Sequence, residues 1–212
     1  MQSPLIVSQL YAIVDAEMLA TRSVALADFA RDLHAAGVGL LQYRDKNGSP
    51  QDVLRAAAIL HEAMAGSGCK LIMNDRADLA VLANFDGVHV GQGDLSPEDA
   101  RRVVGPDAIV GVSTHTDEQA RIANESCADY IAIGPVFATG TKPDASPVVG
   151  LEGVRRARAL TRKPLVAIGG ITRANVRCVI DAGADSIAVI SALFDAQESP
   201  EQVARDFLAR LR

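Results

Sequence analysis

Tryptophan is missing from the 212 residues, and aromatic side chains of any kind make up only 4%. A stacking platform for single-stranded nucleic acid, which needs exposed rings, is thereby disfavoured. Cysteine is nearly as scarce: Cys69, Cys127 and Cys178 are far apart and form no C-x-x-C pair. That argues against a disulfide framework and a thiolate zinc site, and leaves all three as expected packing residues. Neither a long basic run nor a basic helix stripe occurs, and a net charge of −5 offers no pull toward phosphate backbones or anionic membranes. No apolar run approaches the roughly 20 residues of a membrane span. The start, "MQSPLIVSQLYAIVD", has no basic segment leading into a long apolar one, so no signal peptide is read there. The expectation is a cytoplasmic protein acting on small molecules, without nucleic-acid or membrane partners.

What the chain does have is alternation. Short apolar, β-rich runs recur: "LYAIVD", "LLQYRDK", "LIMND", "GVHVG", "AIVGVS", "YIAIGPVF", "PLVAIGG" and "SIAVISALF". Near-continuous apolar character marks strands covered on both faces, hence a parallel sheet. Amphipathic segments such as "SVALADFARDLHAAG" lie between them, and "AAG" or "AGAD" before the next run reads as a helix end with a glycine cap. Ser96-Pro97-Glu98-Asp99 and Ser199-Pro200-Glu201-Gln202 have the form of N-caps with proline in the first helical position. Eight strand–helix units over 212 residues give about 26 residues each, lean but suitable for a (β/α)₈ TIM barrel. A doubly wound open sheet would show a glycine-rich turn after its first strand, and "YAIVDAEML" has none. No linker or composition break appears, so residues 1–212 read as one barrel domain. Outer helices could support a homo-oligomer, though no apolar stripe identifies an interface.

In such a barrel the chemistry sits at the C-terminal ends of the strands. The second strand ends Gln42-Tyr43-Arg44-Asp45-Lys46, and period-2 alternation sends Gln42, Arg44 and Lys46 to one face, Tyr43 and Asp45 to the other. On this segment alone an anion site and a solvated strand end stand level. Asn74-Asp75 closes the third strand, and Gln92-Gly93-Asp94 follows the fourth. Neighbouring strands are about 4.8 Å apart, so Asp75 and Asp94 can approach one point and share Mg²⁺ with a substrate phosphate. Asp94 taken alone reads better as a helix entry in "DLSPED". Gly169 and Gly170 after the seventh strand, with Ser191 after the eighth, fall where this fold builds a phosphate site from backbone amides. His34 and His61 lie in outer helical segments, His89 reads as a hydrogen-bonded barrel histidine, and His115 near the mouth stays open as a candidate. No H-E-x-x-H spacing supports a zinc hydrolase. Two anion sites without a covalent nucleophile suit chemistry dominated by positioning and leaving-group stabilisation.

"QYRDK", "NDRADLA", "GVHVGQGDL", "GVSTH", "GPVFATGTK", "AIGGI" and "AVIS" resemble, in order and spacing, the motifs of thiamine phosphate synthases, from Leu10 to Phe194. The resemblance implies a barrel enzyme that joins hydroxymethylpyrimidine diphosphate to a thiazole phosphate, releasing pyrophosphate before the thiazole nitrogen captures a pyrimidine-stabilised cation. It implies that Gln42, Tyr43, Arg44, Asp45, Lys46, Asn74, Ser113 and Lys142 bind the pyrimidine diphosphate, with Arg44, Lys46, Ser113 and Lys142 in catalytic roles. It gives Mg²⁺ to Asp75 and Asp94, and the thiazole phosphate to Thr139, Gly140, Thr141, Gly170, Ile190 and Ser191. One departure is visible: Gly93 stands where the family motif commonly has an acidic residue. The rivals are a thiazole tautomerase on the same barrel, which would not need both cation sets, a phosphosugar isomerase or decarboxylase, which would need an interior base, and a non-catalytic phosphometabolite-binding barrel.

Overall fold

Each apolar run of the sequence becomes a strand, and the strands close on themselves. The computed structural model describes residues 8–140 and 147–212. Its strands are β1 (Leu10–Asp15), β2 (Leu40–Arg44), β3 (Lys70–Asn74), β4 (Gly87–Val90), β5 (Ile109–Thr114), β6 (Tyr130–Ile133), β7 (Leu165–Ile168) and β8 (Ser186–Val189). All neighbours pair in parallel in chain order, and β8 returns to β1 through Leu10↔Ile187 and Ala12↔Val189. The helices are α1 (Ala16–Thr21), α2 (Leu26–Ala36), α3 (Pro50–Ala63), α4 (Ala77–Leu82), α5 (Pro97–Val104), α6 (Asp117–Glu125), α7 (Gly150–Leu160), α8 (Val176–Asp181) and α9 (Pro200–Leu211), with a 3₁₀ turn at Ser191–Leu193. This is a (β/α)₈ barrel. Among the described residues no helix is long and apolar enough to cross a membrane.

Alternation along the strands sorts side chains into two cores. Tyr11, Ile13, Leu40, Ile72, Tyr130, Ala132, Val166, Ala188 and Ile190 point inward and fill the barrel. Leu10, Ala12, Val14, Leu41, Tyr43, Leu71, Met73, Val88 and Val90 point outward beneath the helices. The caps follow the sequence: Ser49, Ser96 and Ser199 each accept from the N–H three residues on, with proline next, and Ser199–Gln202 forms a full capping box.

The N-terminal rim is stitched by a repeated aspartate. Asp86, Asp129 and Asp185 each stand one residue before an even-numbered strand and accept the N–H of Leu71, Val110 and Leu165 on the preceding strand, at 2.8, 2.7 and 2.8 Å. A cation backs each one: Lys70 on Asp86 at 2.7 Å, Arg101 on Asp129 at 2.5 Å and Arg158 on Asp185 at 2.7 Å.

Several strands stop sooner than the sequence suggests. β2 ends at Arg44 because the Asp45 carboxylate accepts from Asn47 N at 3.1 Å and Gly48 N at 2.7 Å, turning the chain. β6 stops before Pro135, which has no N–H for the ladder. β7 stops at Gly169 and Gly170, whose φ values of 100° and 62° leave the extended region. The short helix α1 was not expected; Asp15 caps it by accepting from Met18 N at 2.9 Å. Cys127 and Cys178 are exposed, so only Cys69, half-buried, fits the packing role expected of the three. Burial pushes the Cys69 thiol up to about 12.

Candidate active site

The cavity at the C-terminal mouth is walled by the last inward residues of the strands. Its lining includes Tyr11, Gln42, Arg44, Lys46, Asn74, Asp75, His89, Asp94 and Ser113, above an apolar floor and flank of Ile13, Ala132, Val166, Ile168 and Ile190. Tyr43 and Asp45 are not in this lining. Tyr43 packs in the outer core with its hydroxyl donating to Asp45 at 3.3 Å, and Asp45 holds the turn after β2.

Charge collects on the β1–β4 side. Arg44 reaches back to pair with Asp15, which the sequence reading missed; its signal was a lone carboxylate closing "LYAIVD". Among the described residues the buried Arg44 Nε–H finds no partner. Lys46 pairs with Asp75. Asp75 holds a left-handed backbone, φ 60°, while its N–H donates to His89 O at 2.8 Å, a strained setting of the kind concentrated at functional sites.

Asp94 lies beside Asp75 on the rim. It does not cap α5, a role Ser96 takes, but accepts from Gly91 N at 2.8 Å. Its carboxyl is held above the ordinary carboxylate range by the atoms packed around it and by the hydrogen-bonded Asp75 carboxylate. Among the described residues no three His, Cys, Asp or Glu side chains gather into a metal cage. Two adjacent carboxylates with open positions are the donor set of a hard cation that takes its remaining ligands from substrate and water.

The opposite half of the rim is built from backbone. A Cβ at Gly169 would lie 2.5 Å from Pro135 Cβ, and one at Gly170 would lie 2.6 Å from Ala138 O. Only glycine lets the turn after β7 lie this close to the segment leaving β6, where Phe137 N donates to Gly169 O at 3.0 Å. Asn175 fixes the same turn, donating to Gly170 O at 3.1 Å and accepting from Thr172 N at 2.7 Å. Arg173 then ties it to the chain after β8 through Asp195 at 3.0 Å and Glu198. Ile190 lines the cavity, and Ser191 opens the 3₁₀ turn beside it. Thr139 and Gly140 end the described segment after β6; Thr141 and Lys142 lie outside the described residues.

The histidines divide by layer. His34 and His61 bond to Ala63 O at 2.8 Å and Ala83 O at 2.7 Å, joining neighbouring outer elements. His115 bonds to Gly134 O at 2.6 Å and holds two strand ends together. His89, only 8% exposed, contacts Tyr130 and Ser113 inside the barrel.

The family model for thiamine monophosphate synthase matches residues 10–193. A thiamine-phosphate synthase of Koribacter versatilis is 54% identical over 210 residues, covering 98% of each chain. One from Methanoculleus marisnigri is 47% identical over 166 residues, 78% of this chain and 79% of that one. The solved thiamine phosphate pyrophosphorylase of Pyrococcus furiosus superposes with a TM-score of 0.85 at 31% identity, over 96% of this chain and 95% of that one. A cation-and-carboxylate mouth on this barrel, matched from the first strand to beyond the last, places the chain in the thiamine monophosphate synthase family.

Proposed function

We propose that this chain transfers the pyrimidinylmethyl group of an aminopyrimidine hydroxymethyl diphosphate to the ring nitrogen of a thiazole phosphate, giving thiamine phosphate and pyrophosphate. The observation that carries this reading is the convergence of Arg44 and Lys46 with the Asp75–Asp94 pair in one cavity.

Gln42, Asn74 and Ser113 hold the pyrimidine, and Arg44 and Lys46 meet the diphosphate. Asp75 and Asp94 would hold Mg²⁺, which when bound neutralises diphosphate charge as a Lewis acid. The Arg44 guanidinium and the Lys46 ammonium, both lining the cavity, stabilise the charge that grows on the leaving group. The methylene–oxygen bond breaks with its electron pair on pyrophosphate, and the thiazole nitrogen lone pair then forms the new carbon–nitrogen bond. Ile13, Val166, Ile168 and Ile190 keep water from the cation in between. Thr139, Gly140, Gly170, Ile190 and Ser191 take the thiazole phosphate; the family resemblance adds Thr141 to that set and gives Lys142 to the diphosphate, both outside the described residues.

The test is a coupling assay with both substrates, with Mg²⁺ or with chelator, reading thiamine phosphate by fluorescence after oxidation. Metal-dependent product is expected. No product, with both ligands still bound, would replace this reading with a non-catalytic phosphometabolite-binding barrel.

A further inference from the structure

Inside the barrel, five polar side chains form one continuous hydrogen-bonded chain. Gln42 Nε2 donates to the Tyr11 hydroxyl at 2.7 Å, and the Tyr11 and Tyr130 hydroxyls lie 2.9 Å apart. Tyr130 meets His89 Nδ1 at 2.9 Å, and His89 Nε2 meets Ser113 Oγ at 2.8 Å. The chain begins on β2 and ends on β5, three strands away around a closed barrel of eight. Both phenols are fully enclosed, and burial pushes their pKa values up, so each stays neutral with a single hydrogen to give. Room for the Tyr130 ring comes from Gly111, where a Cβ would lie 2.0 Å from Tyr130 Cζ.

A hydroxyl with one hydrogen transmits direction. Because Gln42 Nε2 gives to Tyr11, Tyr11 gives to Tyr130, and Tyr130 gives to His89 Nδ1. The neutral imidazole then carries its hydrogen on Nε2 and gives it to Ser113 Oγ. Two groups are left for a ligand: the carbonyl Oε1 of Gln42, an acceptor, and the hydroxyl hydrogen of Ser113, a donor. Both residues line the same cavity.

We infer that Tyr11, Tyr130 and His89 are positioning residues that lock Gln42 as acceptor and Ser113 as donor, and so select an amino-substituted ring with a nitrogen acceptor over its oxo analogue. The identity of the ring rests on the function proposed above. An exocyclic amine gives to Gln42 Oε1 while a ring nitrogen takes the Ser113 hydrogen. An oxo ring of the same size sets carbonyl against carbonyl at Gln42. Relief there means turning the amide, which reverses every bond of the chain and withdraws the Ser113 hydrogen from the cavity. Sites built to match a polar pattern reject such analogues strongly, because a buried group is left without a partner.

Tyr130 does not line the cavity, so Tyr130→Phe cuts the chain at its centre without touching the ligand. The measurement is the ratio of kcat/KM for amino and oxo pyrimidine diphosphates. Wild type is expected to favour the amino ring, and Tyr130→Phe to shrink that preference about tenfold or more, with KM for the thiazole phosphate unchanged. Tyr11→Phe, which frees the Gln42 amide to turn, should narrow it likewise and serves if Tyr130→Phe folds poorly. Equal loss of rate on both rings, with the ratio intact, overturns the inference and leaves a structural role only. If wild type does not couple the amino ring at all, the proposed function fails. The preference is then read from calorimetric Kd values of the two pyrimidine diphosphates alone, and an unchanged ratio in Tyr130→Phe overturns the inference by itself.

Discussion

The two rims of this barrel use the same residue types under opposite rules. At the N-terminal rim, Asp86, Asp129 and Asp185 each accept a strand N–H and each has a cation beside it, so their charges are answered within the fold. At the C-terminal rim, Asp75 sits on a left-handed backbone, Asp94 is pushed above the ordinary carboxylate range next to it, and among the described residues the buried Arg44 Nε–H finds no partner. One rim ties each carboxylate to a strand N–H and a cation; at the other, Arg44–Asp15 and Lys46–Asp75 pair within the cavity wall, and Asp94 is set against a second carboxylate. Local rules are broken where function needs them broken.

Arg44→Ala should break that contrast most visibly. Losing a preorganised donor to a leaving group costs about 100- to 1000-fold in turnover, read as kcat/KM for the pyrimidine diphosphate. The variant also leaves Asp15, 4% exposed, without its cation, so the melting temperature should fall as well. Arg44→Lys separates the two effects: it keeps a charge for Asp15 yet lacks the fork and the extra N–H, so stability should recover more than rate. Full recovery of rate would remove the special role of the guanidinium.

Asp129→Ala is the mirror experiment on the other rim. It strands the buried Val110 N–H and takes the carboxylate from Arg101, which keeps its bonds to Gly105 O, Ala108 O and other carbonyls, a loss of about 1–3 kcal/mol. Thermal unfolding should register this as roughly 2–4 °C per kcal/mol for a chain of this length, with kcat per folded molecule unchanged. A comparable loss of kcat would mean the two rims are not independent.

The sequence was legible wherever one residue type had one physical meaning. Eight apolar runs, proline-led serine caps and glycine helix ends specify a parallel barrel, and strand-end cations with Asp75 and Asp94 mark the charged half of its mouth. The interior relay was harder to read, because Tyr11 and Tyr130 look like ordinary core aromatics until the closed sheet brings their hydroxyls together. Asp15 and Arg173 escaped notice because their partners are 29 and 22 or more residues away in sequence. The helix after β1 has six residues, too few for a period to show. Tyr43 falls within "QYRDK", yet alternation turns it into the outer core, while Asp45, past the end of β2, lines an adjoining pocket with Lys46, Asp75 and Asp94. A motif read as a block loses the face information that its own strand supplies.

Asp94→Asn sharpens the contrast through pH. A carboxyl whose folded pKa is raised contributes stability that is fully present below the ordinary carboxylate range and is lost as pH rises through the folded value. At neutral pH, without metal, the Asp94 charge is therefore a net cost. Asp94→Asn should melt slightly higher than wild type there, by roughly 1–2 °C given rim exposure and salt screening, and the gain should vanish in acid. With Mg²⁺ added the order should reverse, because only wild type keeps both carboxylates. A variant that melts lower than wild type at neutral pH without metal would show that Asp94 is a structural cap after all.

Gly93→Asp carries the smallest expected effect and addresses the one departure in the motifs. Nothing lies within 4 Å of a Cβ built on Gly93, and its backbone is outside the left-handed region, so a side chain there meets neither clash nor strain. A third carboxylate near Asp75 and Asp94 should lower the Mg²⁺ concentration for half-maximal turnover by about two- to fivefold, the worth of one exposed charge interaction. The same carboxylate should lower the metal-free melting temperature slightly by repulsion, so the two shifts have one electrostatic cause. Both should therefore fade together at about 1 M salt, where the Debye length is about 3 Å. A Mg²⁺ requirement that moves but ignores salt would point to a changed turn instead of an added charge, and no movement at low salt would place residue 93 outside the reach of the cation.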